Sequence, residues 1–543
     1  MLVLRRMLLI LLVLLAACSG NQEESGDQNT TRNDGSAPYS GGTIIRHLES
    51  DCKTLNWVLT TTAYENYVIR YLYDNLVDYN ETLEIVPVLA KEFKVSDDHL
   101  RITVTLRDNL LWHDGTPITT KDIKFTMDKI LDPAVPALNK LGWFNKLDRI
   151  DIVDDKTAVF IWKELYAPCL HALAQFAPIP EHIYGSGNFL TNPANRKPVG
   201  SGAFKFEEWR TSQMISIVRN ENYYGDKAHL DRIIFKIIED RAVALNALKA
   251  GELDEMRINQ IQWEEQTNDV GFLNRFNKNY YYAPGYNYLS WNCRSIWFKD
   301  ARVRRAMTHL FDRESINAKI YSGYAKLISG PFYINSWAYD KSIKPWPFDP
   351  NEARRLLGEA GWAINPDDGI RYQDGVKFEF EFLITSGNIV ASQFAELLLE
   401  QCEKVGIKMK IRQMEGATFF EKIEKGEFAA CALGWSLDVD PDQYDTWHSS
   451  QIPPIGLNHV YYSNPVVDSL LEAGRIEFDL TKRADIYHQI HRLLHDDQPY
   501  TFVNAVPEKR PIHKKIKNVV ISGNGLFNFY PGAIYWYVDD SVK

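Results

Sequence analysis

A chain of 543 residues exceeds what one hydrophobic core normally organises, so at least two lobes are expected. Apolar residues at 45% and charged residues at 24% are ordinary for globular protein, and an aromatic share of 13% suits a protein that grips organic molecules. A net charge of -10, with no concentrated Lys/Arg stretch, excludes nucleic acid as the main partner, because phosphate neutralisation needs a basic face.

The first elements in chain order form an address. Arg5 and Arg6 precede an apolar run from Met7 to Leu15 and then Ala16-Ala17-Cys18, the pattern of an export signal. The run is too short for a permanent span, which needs roughly 20 residues to cross about 30 Å of hydrocarbon; an uncleaved anchor is the competing reading. Leu15-Ala16-Ala17-Cys18 resembles the bacterial lipobox, in which the cysteine is acylated, and predicts lipidation of Cys18 and tethering to a membrane in the periplasm or at the outer cell surface. Residues 19–38 are Gly, Ser, Asn, Asp, Gln and Glu with almost nothing apolar, a disordered tether with a reach of about 25 Å. Five further cysteines follow: Cys52, Cys169, Cys293, Cys402 and Cys431, none in a CxxC pair. Outside the cytoplasm they allow at most two disulfides, in pairings the sequence leaves open, or they are buried and inert.

From Gly42 short strands alternate with amphipathic helices, which makes the class α/β or α+β. Residues 102–106 (ITVTL) alternate with period two as a strand, and Trp112-His113-Asp114-Gly115-Thr116-Pro117 is a turn. Thr119-Thr120-Lys121-Asp122 caps a helix whose Ile123, Met127 and Ile130 share a face. Val243 to Leu248 is helical and stops at Gly251. Val390 to Val405 is another amphipathic helix, followed by a strand over Ile407 to Ile411.

Ordered blocks through the body carry a family resemblance. They begin with Gly41-Gly42-Thr43, Thr54-Leu55-Asn56 and Tyr73-Asp74-Asn75-Leu76-Val77. "PVLAKEFKVSDD" and "ITVTLRDNLLWHDGTPITTKDIKFTM" then fill Pro87 to Met127, and Pro198-Val199-Gly200-Ser201-Gly202 follows. Later blocks are "KDARVRRAMTHLFDRESI" from Lys299, "DPNEARRLLGEAGW" from Asp349 and "LGWSLDVDPDQY" from Leu433. Together they resemble the family 5 extracellular solute-binding proteins, the group containing dipeptide-, oligopeptide- and nickel-binding proteins of ABC importers.

The resemblance implies an α/β, two-lobed periplasmic-binding-protein-like fold of the class II type, with an extra inserted domain and a hinged ligand cleft. The hinge lobe takes residues 39–70, 197–282 and 505–543, the inserted domain 71–196 and the second lobe 283–504. It implies a short peptide or similar extended solute as ligand, a permease and ATPases as partners, a monomer, and no cofactor. In peptide-binding relatives a Trp and an Asp of the "GWSLDVDPD" loop face the cleft and the Asp meets the ligand's α-ammonium; Trp435 and Asp438 stand at those places. A solvated acidic loop is the bland alternative, and an EF-hand is disfavoured because Gln443 and Ser449 replace the required Gly and Glu. Some relatives carry an Arg shortly before that Trp; here the positions are Cys431, Ala432 and Leu433, so carboxylate capture by that route is not carried over. Tyr288 and Asn292, with Tyr286 and Trp291 beside them, begin the second lobe and are further candidates for lining the cleft, against core packing.

His488, His491 and His495 share one helix face, which offers either a transition-metal site or an ordinary solvated face; no metal is assigned. There is no HExxH, GxSxG, P-loop or complete GxGxxG, so an enzyme is not expected. Rivals to transport are a solute sensor or chaperone-like protein using the same cleft, and more remotely a secreted hydrolase.

Overall fold

A computed structural model describes residues 41–539 and 541; the export signal, Cys18 and the tether lie outside the described residues. Among the described residues no helix is long and apolar enough to cross a membrane. The local elements form for the reasons legible in the chain. Arg101–Leu106 is a strand burying Ile102, Val104 and Leu106 on one face. The helix Thr120–Leu131 starts in a capping box, with Thr119 and Asp122 each accepting from the other's backbone region. Arg241–Lys249 is capped by Asp240 and ends before Gly251, whose φ of 80° turns the chain out of the helix.

Three larger sheets and one two-stranded pair organise the molecule. In the first, Thr43–Leu48 runs parallel to Arg232–Ile237, which continues antiparallel to Met214–Arg219 and Phe204–Arg210. In the second, four antiparallel strands within residues 90–162 follow the order Ala90–Val95, Arg101–Leu106, Thr157–Trp162, Leu147–Ile152. The third is the pair Phe276–Tyr282 and Pro507–His513. The fourth has six strands: Lys326–Leu327, Tyr500–Ala505, Gly285–Trp291, Ala430–Ser436, Glu379–Thr385 and Lys408–Met414. Its parallel neighbours Glu379–Thr385 and Lys408–Met414 are joined by the helix Ile389–Lys404, because parallel strands need a crossover.

Two strands leave the antiparallel pair and enter the six-stranded sheet side by side. Phe276–Tyr282 continues through Ala283 and Pro284 into Gly285–Trp291, and Tyr500–Ala505 continues through Val506 into Pro507–His513. These adjacent links are the natural hinge, since a few residues at element ends can absorb a rotation. The first two sheets share one continuous core, in which Ile44, Phe204 and Phe235 join Ile123, Phe160 and Phe176. The six-stranded sheet has a separate core on each face, one around Leu289 and Trp291 and the other around Tyr288 and Tyr500.

His113 clamps the return of the chain at Gly200 and Gly202. Gly200 N–H donates to His113 Nδ1 at 3.0 Å, so Nε2 carries the proton and donates to Gly202 O at 3.0 Å. Burial pushes this imidazole down to about 4, which keeps it neutral. A side chain at Gly200 would meet Leu72 O at 1.8 Å.

The five cysteines of the described residues are unpaired, so neither possible disulfide is realised. Burial pushes Cys169 and Cys431 up to about 12, and Cys431 is held against Ser290 Oγ at 2.8 Å. They behave as packing residues.

Candidate functional site

The "GWSLDVDPD" loop leaves the strand Ala430–Ser436 at the hinge end, where Leu437 N–H donates to Pro284 O at 3.1 Å. Strand alternation puts Cys431, Leu433 and Trp435 on the face that carries Tyr286 and Tyr288 of the neighbouring strand. Trp435 is half-buried and lies parallel to Tyr288, with ring centroids 6.2 Å apart and planes at 10°. Tyr288 is stacked in turn on Tyr500 at 3.9 Å, and Trp435 Nε1 donates to Tyr500 OH at 3.4 Å. The indole is therefore fixed by a rigid aromatic floor, with one part left at the surface.

The three acidic residues of the loop have different fates. Arg483 holds Asp440 in a fork of two bonds at 2.8 and 2.9 Å. Burial works to raise the Asp440 carboxyl, but the guanidinium outweighs it and holds the group below its usual range. Asp442 is paired with Arg475 at 2.8 Å, and Arg475 also lies 3.9 Å over the Tyr444 ring. Asp438 has no such partner among the described residues, and 60% of its side chain is exposed. With two of three carboxylates neutralised by arginine, the loop is unsuited to calcium and offers a single free carboxylate.

Across from Asp438 stands the first lobe. His171 Nε2 lies 4.0 Å from Asp438 Oδ2, and His171 Nδ1 meets Tyr79 OH at 2.9 Å. With the phenol donating, Nε2 carries the hydrogen and points at the carboxylate from a buried position without a hydrogen-bond partner of its own. Trp143 packs edge-on against the imidazole at 6.4 Å. The halves touch elsewhere too. Ala167 N–H donates to Arg475 O at 2.6 Å, His99 stacks on Phe478 at 4.1 Å, and Val439 and Phe478 pack on the core of the first lobe.

Of the two residues singled out in this loop, Asp438 lies 4.0 Å from His171 of the first lobe, and Trp435 sits three positions earlier on the Tyr288–Tyr500 stack. Tyr288, offered as a cleft residue, is 1% exposed and sits one layer down, because its strand face is the core face. Asn292 is not brought to the site. It lies at the other end of its strand, about 20 Å away at about 3.4 Å per residue. Its amide donates to Phe428 O at 2.8 Å and its carbonyl accepts from Arg294 N. There it borders a shallow depression of about 340 Å³ with Arg294 and Trp297. The histidine face is also committed: His488 meets Trp337 O, His491 meets Ser329 Oγ and Asp340 N, and His495 meets Ser329 O. No group of three or more metal-ligating side chains occurs among the described residues. Missed from sequence were Tyr79, Trp143 and His171 of the facing wall. They lie in unremarkable helix and strand contexts, and no motif marks them.

Two lobes joined by paired strands, with an arginine-free carboxylate of one lying 4.0 Å from a buried imidazole of the other, are the architecture of a two-lobed solute-binding protein. The model of the bacterial extracellular solute-binding proteins, family 5, matches residues 84–452, and the chain belongs to that family. It is 31% identical to the oligopeptide-binding protein AppA of Bacillus subtilis over 486 residues, 88% of each chain. It is 27% identical to di/tripeptide-binding protein 1 of Pseudomonas aeruginosa over 83% of this chain and 86% of that one. Among solved structures, Bacillus subtilis AppA in complex with a nonapeptide is matched at a TM-score of 0.75 and 30% identity, covering 93% of this chain and all of that one (100%). NikZ of Campylobacter jejuni in complex with Ni(L-His) is matched at 0.76 and 26% identity, covering 91% and 99%.

Proposed function

We propose that this chain is the extracytoplasmic solute-binding component of an ABC importer, that its cargo is short peptides, and that a lipid on Cys18 anchors it to a membrane. The observation that carries the peptide reading is the isolation of Asp438. Of three neighbouring carboxylates it alone lacks an arginine, and it faces the gap beside a fixed tryptophan. A carboxylate so placed favours a ligand with a free ammonium, and the sequence relatives named for peptides support the same ligand class. The peptide backbone is gripped as an extended strand, which tolerates many side chains. No bond is made or broken; the ligand bridges two lobes and shifts the balance between open and closed forms. A permease and ATPases on other chains complete the importer.

The test is to purify the protein without unfolding it, release its contents with acid and identify them by mass spectrometry. Intact short peptides are expected. Cleavage products of an added peptide pool would mark a hydrolase, and a metal complex or no organic solute would overturn the peptide reading. Metabolic labelling with a tagged fatty acid checks the anchor: wild type takes the label and Cys18→Ser does not.

A further inference from the structure

The wall opposite Asp438 contains a buried cation with no counter-ion in contact. Lys140, on the short helix Leu138–Phe144, is 4% exposed. Its Nζ lies over the ring of Trp57 at 5.0 Å and over that of Trp143 at 5.3 Å. Among the described residues no carboxylate comes within ion-pair distance and no acceptor within hydrogen-bond distance of this ammonium. Glu65, the strongest of the carboxylate charges that act on it, is engaged by the backbone N–H groups of Thr61, Thr62 and Lys53. Asp438, across the gap, is the second. Cation–π contact offsets only part of the cost of burying a charge that has no acceptor. The position also adjoins the site, because Trp143 touches both Lys140 and the His171 that faces Asp438.

We propose that Lys140 receives a carboxylate of the bound peptide, so that Asp438 and Lys140 hold opposite charges of one zwitterion from opposite lobes. The inference rests on the peptide reading above and deepens it. The strand positions before Trp435 are Cys431, Ala432 and Leu433 and offer no cation, so the acidic end of a peptide needs one elsewhere. Lys140 supplies it as a point charge in an apolar box, which suits one small carboxylate better than a planar fork would. An ammonium and a carboxylate gripped from opposite walls reward closure directly, since neither contact is complete in an open form.

The probe is an oligoalanine series from dipeptide to pentapeptide, each as free acid, C-terminal amide and N-acetyl form, titrated calorimetrically into the whole protein. Wild type binds the free acid roughly tenfold or more tightly than the amide. Lys140→Met loses that preference while keeping the penalty for N-acetylation, which belongs to Asp438. A free-acid preference unchanged in Lys140→Met overturns the assignment of Lys140 alone. A wild type that takes up no member of the series overturns the peptide reading and this assignment with it.

A second measurement needs no variant. Burial lowers Lys140 to about 8, against the opposing pull of Glu65 and Asp438. The wild-type preference for free acid over amide therefore falls as pH rises through about 8, when the ammonium discharges. A preference that stays constant up to pH of about 10, close to the ordinary lysine value, contradicts the proposal.

Discussion

At the scale of single residues, the proposed site divides into groups that would touch a ligand and groups that hold them. Asp438 is proposed for the first kind. Asp438→Ala weakens peptides with a free amine by about 2 kcal/mol or more, roughly thirtyfold, and N-acetylated peptides much less. Calorimetry on matched peptides checks this, and equal losses for both would remove the assigned role. Tyr288 belongs to the second kind. Tyr288→Ala empties a space between Trp435 and Tyr500 and costs about 3–5 kcal/mol of stability, measured by denaturant unfolding. Lys140 carries the opposite signature: its lowered titration means the fold disfavours its charge below pH of about 8, and stability rises between there and the unfolded value of 10.5. Lys140→Met is accordingly as stable as wild type or more so at neutral pH, a gain on the order of 1–3 kcal/mol that accompanies lost binding.

Only part of this was legible residue by residue. Trp435 and Asp438 stand in an ordered block whose resemblance marks them. The arginines that neutralise Asp440 and Asp442 come from helices some 30 to 40 positions later, as Arg475 and Arg483, and chain order gives no hint of the pairing. The same holds for His171 and Lys140, whose meaning arises from what packs across the gap. Asn292 misled because a polar residue after an aromatic strand looks available. Its amide is consumed by the backbone of residues 426 and 428.

At the scale of elements, periodicity and caps were sufficient where the element carries its own signal. The capped helix at Thr120–Leu131, the stop at Gly251 and the helix–strand unit at Ile389–Lys404 and Lys408–Met414 follow from spacing alone. Sheet order does not, because Thr43–Leu48 finds its parallel partner nearly two hundred residues later at Arg232–Ile237. The "HDG" turn and the "PVGSG" segment similarly acquire meaning only together, through the His113 clamp. Gly200→Ala drives a Cβ into the Leu72 carbonyl and costs about 3 kcal/mol or more, whereas Gly251→Ala meets open space and costs about 1 kcal/mol for its backbone angle. Thermal melts of the two variants compare them directly.

At the scale of the whole molecule, two lobes are joined by two short adjacent links, and Asp438 of one lies against His171 of the other. The lobes also touch away from the proposed ligand site, as where His99 stacks on Phe478. Phe478→Ala removes an aromatic pair worth about 0.5–1.5 kcal/mol and so weakens peptide binding by up to roughly tenfold without touching the ligand. A variant with unaltered affinity would show that this contact does not bias closure.

Small-angle scattering of the ligand-stripped protein, before and after saturation with the peptides recovered from it, tests closure most directly. Saturation is expected to give a smaller radius of gyration, reversed when the peptides are removed again. Superimposable curves at saturating peptide would contradict it.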